Sequence, residues 1–210
     1  NCATEIVFTS CGTEGDNTAI FAAAAAAPER KKIVTSAVEH PGVNHCLDAL
    51  GRKGYEIVRI GVDHRGRLDL DAFRAALDGN TALVTMMYAN NETGTIFPVR
   101  ELCRAAHLCG AFFHTDAVQA AGKLPIDVDA DEFDFLSISG HKLHAPKGVG
   151  ALFIKKGVRL VPPAALGGGQ EKGVRSGTEN MPAIAAFGEA GKGLPTPPEQ
   201  TKHYEALRAF

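Results

Sequence analysis

The stretch Ser137-Ile138-Ser139-Gly140-His141-Lys142 decides how this chain is read. It follows the apolar run Phe133 to Leu136, which the sequence predicts as a buried strand. It precedes Leu143-His144-Ala145-Pro146-Lys147-Gly148, a turn-rich segment leading to a second strand at Gly150 to Ile154, expected to run antiparallel to the rest. A lysine at a strand's end, set among small and polar residues, has two readings. It is a solvated loop lysine, or it is held in a pocket with its pKa lowered so that its amine forms a Schiff base.

A partner upstream tips the balance toward the second. The apolar strand Gly110 to Phe113 is closed by His114-Thr115-Asp116-Ala117-Val118-Gln119, with an aspartate at its end. Pyridoxal phosphate (PLP) chemistry needs both parts: a lysine for the aldehyde, and a carboxylate that keeps the pyridine nitrogen protonated. FFHTDAVQAAGKLPIDV (112–128) and DFLSISGHKLHAPKGVGAL (134–152) together resemble the NifS-type cysteine desulfurases. These belong to the fold-type I, class V aminotransferase-like PLP enzymes. The likeness runs through nearly the whole chain, with several motifs in the right order and spacing.

The bulk properties set bounds. The chain of 210 residues is long enough for one large domain with its own core. It is 45% hydrophobic and 22% charged, with a net charge of -2, so neither nucleic acid nor an anionic membrane is an expected partner. The longest apolar run, Phe21 to Ala27, is too short to span a bilayer. Cys2, Cys11, Cys46, Cys103 and Cys109 are scattered and odd in number, which argues against a disulfide framework and for a reducing, cytoplasmic setting. The first residue is Asn1, and the last, Ala206 to Phe210, reads as part of a helix, so the chain is expected to be an internal piece of a longer protein. Residues 1–193 read as the large, PLP-binding domain, expected to be incomplete at its N-terminus. Residues 194–210 read as a linker and the start of a helix leading to a second domain.

Taken in order, strands alternate with helices. This pattern predicts an α/β fold with a mostly parallel sheet and helices on both faces. Glu5 to Thr9 is a strand, and a helix runs from Glu14 through the alanines toward Pro28. The small and hydroxyl residues between them suit an anion, since free backbone N–H groups and the helix dipole point outward there; a plain N-cap fits the same pattern. Pro41 forces His40 into an extended conformation at the end of the strand Lys32 to Ser36. A helix over Val43 to Lys53, a strand over Glu56 to Ile60 and a helix over Leu68 to Leu77 carry no chemistry, and His45 and His64 read as solvated. The run Ala82 to Met87 is continuous enough to be buried on both faces and delivers Asn90-Asn91-Glu92-Thr93-Gly94. Thr13, His40, Asn91, Asp116 and Lys142 all fall just after strand C-terminal ends, where open α/β sheets bind ligands.

The resemblance implies roles for these residues. FTSCGTEGDN (8–17) is similar to the family's phosphate-cradle turn, which brings in Gly12 and Thr13 and leaves Cys11 as a departure read as packing. In EHPGV (39–43), His40 is the residue expected to stack on the PLP ring and to handle protons. In NNETG (90–94), Asn91 is expected beside the phenolic oxygen and the substrate carboxylate. Gln119 is expected to contact PLP O3′, Ser139 and His141 to bind the phosphate, and Lys142 to carry PLP covalently. Unaided, GGGQEKGVRSGT (167–178) is a flexible loop with a basic tip. By resemblance, its Thr178 reaches the phosphate held by the other subunit of a homodimer.

The implied reaction is conversion of L-cysteine to L-alanine, with sulfur leaving as an enzyme persulfide for an iron–sulfur scaffold or another sulfur acceptor protein. The family's nucleophilic cysteine and its carboxylate-binding arginine match nothing in this chain. Cys103 and His107 stand at i, i+4, a spacing that suits a metal, but no second Cys/His pair completes it, and packing is the expectation. Gly122-Lys123-Leu124 lacks the upstream glycine and following hydroxyl of a P-loop. Two other readings stay open: a different class V enzyme such as a selenocysteine lyase or an aminotransferase, or a non-catalytic scaffold on the same fold.

Overall fold

A computed structural model describes residues 3–158, 164–195, 199 and 202. Cys2 and most of the proposed linker and following helix lie outside the described residues. A seven-stranded sheet forms the centre, in the order β1-β7-β6-β5-β4-β2-β3. Its strands are β1 (Ile6–Thr9), β2 (Lys32–Ser36), β3 (Glu56–Ile60), β4 (Thr81–Thr85), β5 (Phe112–Asp116), β6 (Phe135–Ser139) and β7 (Gly150–Ile154). The pairings from β3 to β6 are all parallel, whereas β7 runs antiparallel to both β6 and β1. β1 therefore points the same way as β6, and six C-terminal ends open on one edge.

Alternation along the strands divides the core. Ile33, Leu83 and Leu152 face α1 (Gly12–Ala26) and α2 (Pro41–Gly51), packing on Ala19, Ile20, Ala23 and Leu47. Val34, Val84 and Phe113 point the other way, toward Leu102, Cys103 and Ala106 of α4 (Val99–Leu108) and Phe73 of α3 (Leu70–Ala76). Both faces are covered, so the strands read as nearly continuous apolar runs. The alanines of α1 let it lie close on the sheet: Gly15 has Ser137 Oγ only 3.0 Å from where a Cβ would stand. The short α5 (Val128–Asp131) and the longer α6 (Met181–Lys192) complete the α-helices among the described residues.

Several boundaries differ from expectation, each for a local reason. α1 begins two residues early, at Gly12, because the chain turns directly off β1 into the helix. α2 begins at Pro41, whose fixed φ and missing N–H suit the first helical turn, with His40 as N-cap. Leu68 is not helical: it bridges Val62 across the 62–68 turn, and Asp69 caps α3 through Ala72 N. β6 starts at Phe135 rather than Phe133, because Phe133 stacks on Phe113 in the core ahead of the strand. β4 spans Thr81–Thr85, and Met86 and Met87 continue as buried irregular chain.

Candidate active site

The common strand edge bounds a cavity of about 220 Å³. Gly12 and Thr13 line it from the start of α1, His40 from the end of β2, and Asn91 from the loop after β4. Asp116 and Gln119 line it from the end of β5, and Ser139, His141 and Lys142 from the end of β6. Nine of the ten sequence-predicted residues thus share one cavity. Thr178 does not; it is exposed and borders a separate groove with Ser10, Arg175 and Asn180.

The N-terminus of α1 is open. Its N-cap, Cys11, is extended and makes no side-chain capping bond, so the first-turn N–H groups are left to face the cavity side. Gly12 is required by space, since a Cβ there would stand 2.6 Å from Val118 Cγ2. Glu14, in the same turn, is directed away: its Oε1 accepts from Arg175 Nε at 2.7 Å and its Oε2 from Ser10 N at 2.6 Å. Burial works to raise the Glu14 pKa, but the hydrogen bonds from Arg175 and Ser10 win and hold it below the ordinary value. This ion pair ties the glycine-rich loop to the cradle helix. Beside this turn, with Ser139 Cβ 3.4 Å from where a Gly12 Cβ would stand, the Ser139 hydroxyl and His141 Nδ1 are hydrogen-bonded at 2.9 Å.

His40 is oriented by its own helix. Its Nδ1 accepts from Gly42 N at 3.1 Å, so the neutral ring carries its proton on Nε2. The preceding Glu39 is buried; its Oε1 accepts from Ser36 Oγ at 2.5 Å and from Met87 N at 2.9 Å, which fastens the ends of β2 and β4 together. Burial pushes the Glu39 carboxyl up to about 8, against the pull of those hydrogen bonds. Asn90 holds the next loop in place: its Nδ2 donates to Val38 O at 3.2 Å and its Oδ1 accepts from Glu92 N and Thr93 N. Asn91 is left exposed at the cavity mouth.

The floor is acidic. Asp116 Oδ1 accepts from Val118 N at 2.9 Å, and burial, followed by the charge of Asp16, pushes its carboxyl up to about 7. Asp16 also lines the cavity, and its Oδ1 has no hydrogen-bond partner among the described residues. Beneath it, the buried His114 ring joins Thr85 Oγ1 (2.8 Å, Nδ1) and Ser137 Oγ (3.0 Å, Nε2). Asp16, His114 and Glu39 went unread in the sequence. A signal existed for Asp16: it shares the inward stripe of α1 with Ala19, Ile20 and Ala23, an odd place for a charge. Lys142 sits on the 3₁₀ turn Gly140–Leu143, exposed, and also borders a second cavity on the far side of that turn.

Elsewhere, Cys103 Sγ lies 3.8 Å from His107 Nε2, but that nitrogen also meets Asp134 Oδ2 at 2.8 Å, and no metal-binding cluster of three or more groups occurs among the described residues. Burial pushes the Cys103 thiol up to about 12. His45 and His64 are exposed, as expected.

Residues 1–199 match the family described as Aminotransferase class-V. The chain belongs to that family. Its members of this type are PLP-dependent. The chain is 54% identical over 188 residues to a cysteine desulfurase of Nostoc sp., covering 90% of this chain and 47% of the relative. It is 51% identical over 188 residues to cysteine desulfurase NifS of Azotobacter vinelandii, covering 90% and 46%. The chain therefore spans about half the length of the curated relatives it matches. Among solved structures, a NifS-like protein superimposes with a TM-score of 0.91 at 39% identity, over 98% of this chain and 57% of that one. SspA in complex with cysteine gives a TM-score of 0.88 at 34% identity, over 99% and 61%. These likenesses agree with the fold: a mostly parallel sheet with helices on both faces of a fold-type I PLP enzyme. No helix among the described residues is long and apolar enough to cross a membrane.

Proposed function

We propose that this chain is the cofactor-binding large domain of a PLP-dependent cysteine desulfurase, which converts L-cysteine to L-alanine and passes the sulfur on as an enzyme persulfide. The observation that carries this reading is the convergence of Lys142, Asp116 and an uncapped helix N-terminus on one cavity. The residues fit the cofactor at three points. The open first turn of α1, with Thr13, Ser139 and His141, is a donor set for a phosphate. Asp116 and Asp16, whose Oδ1 makes no hydrogen bond and has the His114 ring 3.5 Å away, form a buried acidic floor that a protonated ring nitrogen suits. Lys142, on the turn after β6, adds an amine to the same cavity.

Bound PLP supplies an aldehyde for the lysine and for substrate, and an electron sink when its ring nitrogen is protonated. Asp116 holds the proton at that nitrogen. A cation beside it favours the carboxylate over the protonated form that burial alone prefers. His40, with Nδ1 committed to Gly42, would keep Nε2 for exchanging protons and is, by resemblance, the residue that would stack on the cofactor. Lys142 would hold the cofactor through its amine, and the same amine would serve as the base for the proton at the substrate Cα. Asn91 and Gln119 address the phenolic oxygen, and Asn91 the substrate carboxylate. Thr178, away from its own cavity, serves the phosphate of the partner subunit in a homodimer.

By the family resemblance alone, the thiol that accepts sulfur belongs to sequence outside these 210 residues; of the cysteines within them, Cys46 and Cys103 are buried and pushed up to about 12. The NifS likeness points to a cytoplasmic enzyme that feeds an iron–sulfur scaffold or other acceptor protein, with nitrogen fixation the role favoured by the name of that relative.

The test is an absorption spectrum of the purified protein with added PLP, before and after borohydride, beside Lys142→Ala. A visible chromophore that borohydride fixes to the peptide containing Lys142, and that the variant lacks, is expected. In the full-length protein, L-cysteine with reductant should yield alanine and sulfide in equal amounts. A chromophore without sulfide would point to another class V reaction, and a folded full-length protein without a Lys142-dependent chromophore would overturn the PLP reading.

A further inference from the structure

Lys123 Nζ donates to Gln119 Oε1 at 2.9 Å. An ammonium group has donors and no acceptor, so the amide must turn its oxygen toward Lys123. Its Nε2 then remains for the cavity that Gln119 lines. The two residues sit on a tight turn after β5, closed by Ala121 N to Ala117 O at 2.8 Å and Leu124 N to Ala120 O at 2.9 Å, which fixes their separation. That turn is pressed against the Lys142 turn. Gly122 adopts φ +70, and a Cβ there would lie 2.5 Å from Leu143 Cδ2, next to Lys142. Lys123 and Lys142 share the second cavity, with His144 and Glu189 on its other walls. Burial, and then the charge of Lys142, draw the Lys123 pKa below the ordinary lysine value. The ammonium is thus kept at a disfavoured place, and Gln119 Oε1 is the acceptor that holds it.

We infer that Lys123 is a positioning residue: it fixes the Gln119 amide so that the cavity presents an N–H donor, rather than a carbonyl, to an anionic oxygen of the ligand. This rests on the proposed PLP reading, in which the phenolic oxygen lies beside Gln119. A donor there favours the deprotonated oxygen and lowers the pH at which the bound chromophore changes colour. A carbonyl there would do the reverse. Without Lys123 the amide is free to flip, and the midpoint should rise.

The experiment is a pH titration of the absorbance of the PLP-loaded protein, read as a midpoint and independent of turnover. Lys123→Met should raise it by about half a pH unit or more, a difference of about 0.7 kcal/mol between the two protonation states. Lys123→Arg, which keeps the donors, should restore the wild-type midpoint. The removed charge could itself shift the midpoint, so the same change is made in Gln119→Ala. There Lys123→Met should produce no further shift if the lysine acts through Gln119. A wild-type midpoint in Lys123→Met, or an equal shift in the Gln119→Ala background, would overturn the inference. Lys123→Ala replaces the methionine variant if circular dichroism shows misfolding. Loss of the chromophore from the wild-type protein would instead refute the PLP reading itself.

Discussion

His114 Nε2 stands 3.5 Å from Asp16 Oδ1, with both side chains buried and Asp16 at the wall of the Lys142 cavity. The pair belongs to a larger group. Glu39 and Asp116 are also buried, and each feels the negative charge of Asp16. Three buried carboxyls with one imidazole leave an excess of acid. The ligand-free protein meets this by holding protons that an unfolded chain has released.

A pH dependence of stability follows, with a defined sign. Asp116 rises from 3.8 to about 7 on folding and Glu39 from 4.5 to about 8. In both cases the folded form binds a proton that the unfolded form lacks, so their contribution is full below pH 4 and is lost as pH rises to 7 or 8. Urea titrations of the ligand-free protein should show stability falling across that window, by no more than about 1.4 kcal/mol per pH unit per group. Glu39→Gln keeps an acceptor for Ser36 and Met87 and should flatten the fall, most visibly between pH 6 and 8. An unchanged slope would show that Glu39 does not titrate there.

Gly12 and Val118 should be coupled. Gly12→Ala drives a methyl into Val118 Cγ2, a β-branched side chain with little freedom to move. Overpacking of this kind costs about 1–3 kcal/mol, and it should also weaken PLP binding, because Val118 is itself a wall of the cavity. Adding Val118→Ala should recover most of the stability. Thermal melts and PLP titrations of the two single variants and the double variant check this.

The described thiols should fall into two classes. Cys46 and Cys103 are buried, and burial pushes both up to about 12. They should stay silent to a thiol reagent in the folded protein and react fully in urea. Cys11 and Cys109 are half-buried and should react without denaturant. Mass spectrometry of the labelled peptides distinguishes the four, and PLP should protect Cys11, which lines the cavity.

Arg175→Ala should loosen the glycine-rich loop without unfolding the sheet. The ion pair with Glu14 is part-exposed, so its loss should cost no more than about 1 kcal/mol. The local effect should be larger: faster amide exchange over 164–178 and at the start of α1. In the proposed homodimer, PLP affinity should fall with it, since Thr178 lies three residues on.

Much of this was readable in the chain. Strand–helix alternation set the parallel sheet, and the residues following each strand marked the binding edge, because parallel strands must present their C-terminal ends together. Lys142 and Asp116 stood out as a pair by type and place, and His40 through the resemblance of EHPGV to the family's motif. What the tertiary structure decided was the company these residues keep. Asp16 looks like an ordinary polar residue of a helix until α1 lies face down on β5 and β6, where its carboxylate meets His114 and Asp116. Glu39 looks like a spacer before His40 until Met87 N reaches it from β4. Gln119 has two chemically different ends, and only the fold, by placing Lys123 against one of them, decides which end the cavity receives. Periodicity reports which face a residue is on; burial and charge coupling depend on neighbours distant in sequence, and those exist only once the sheet has closed.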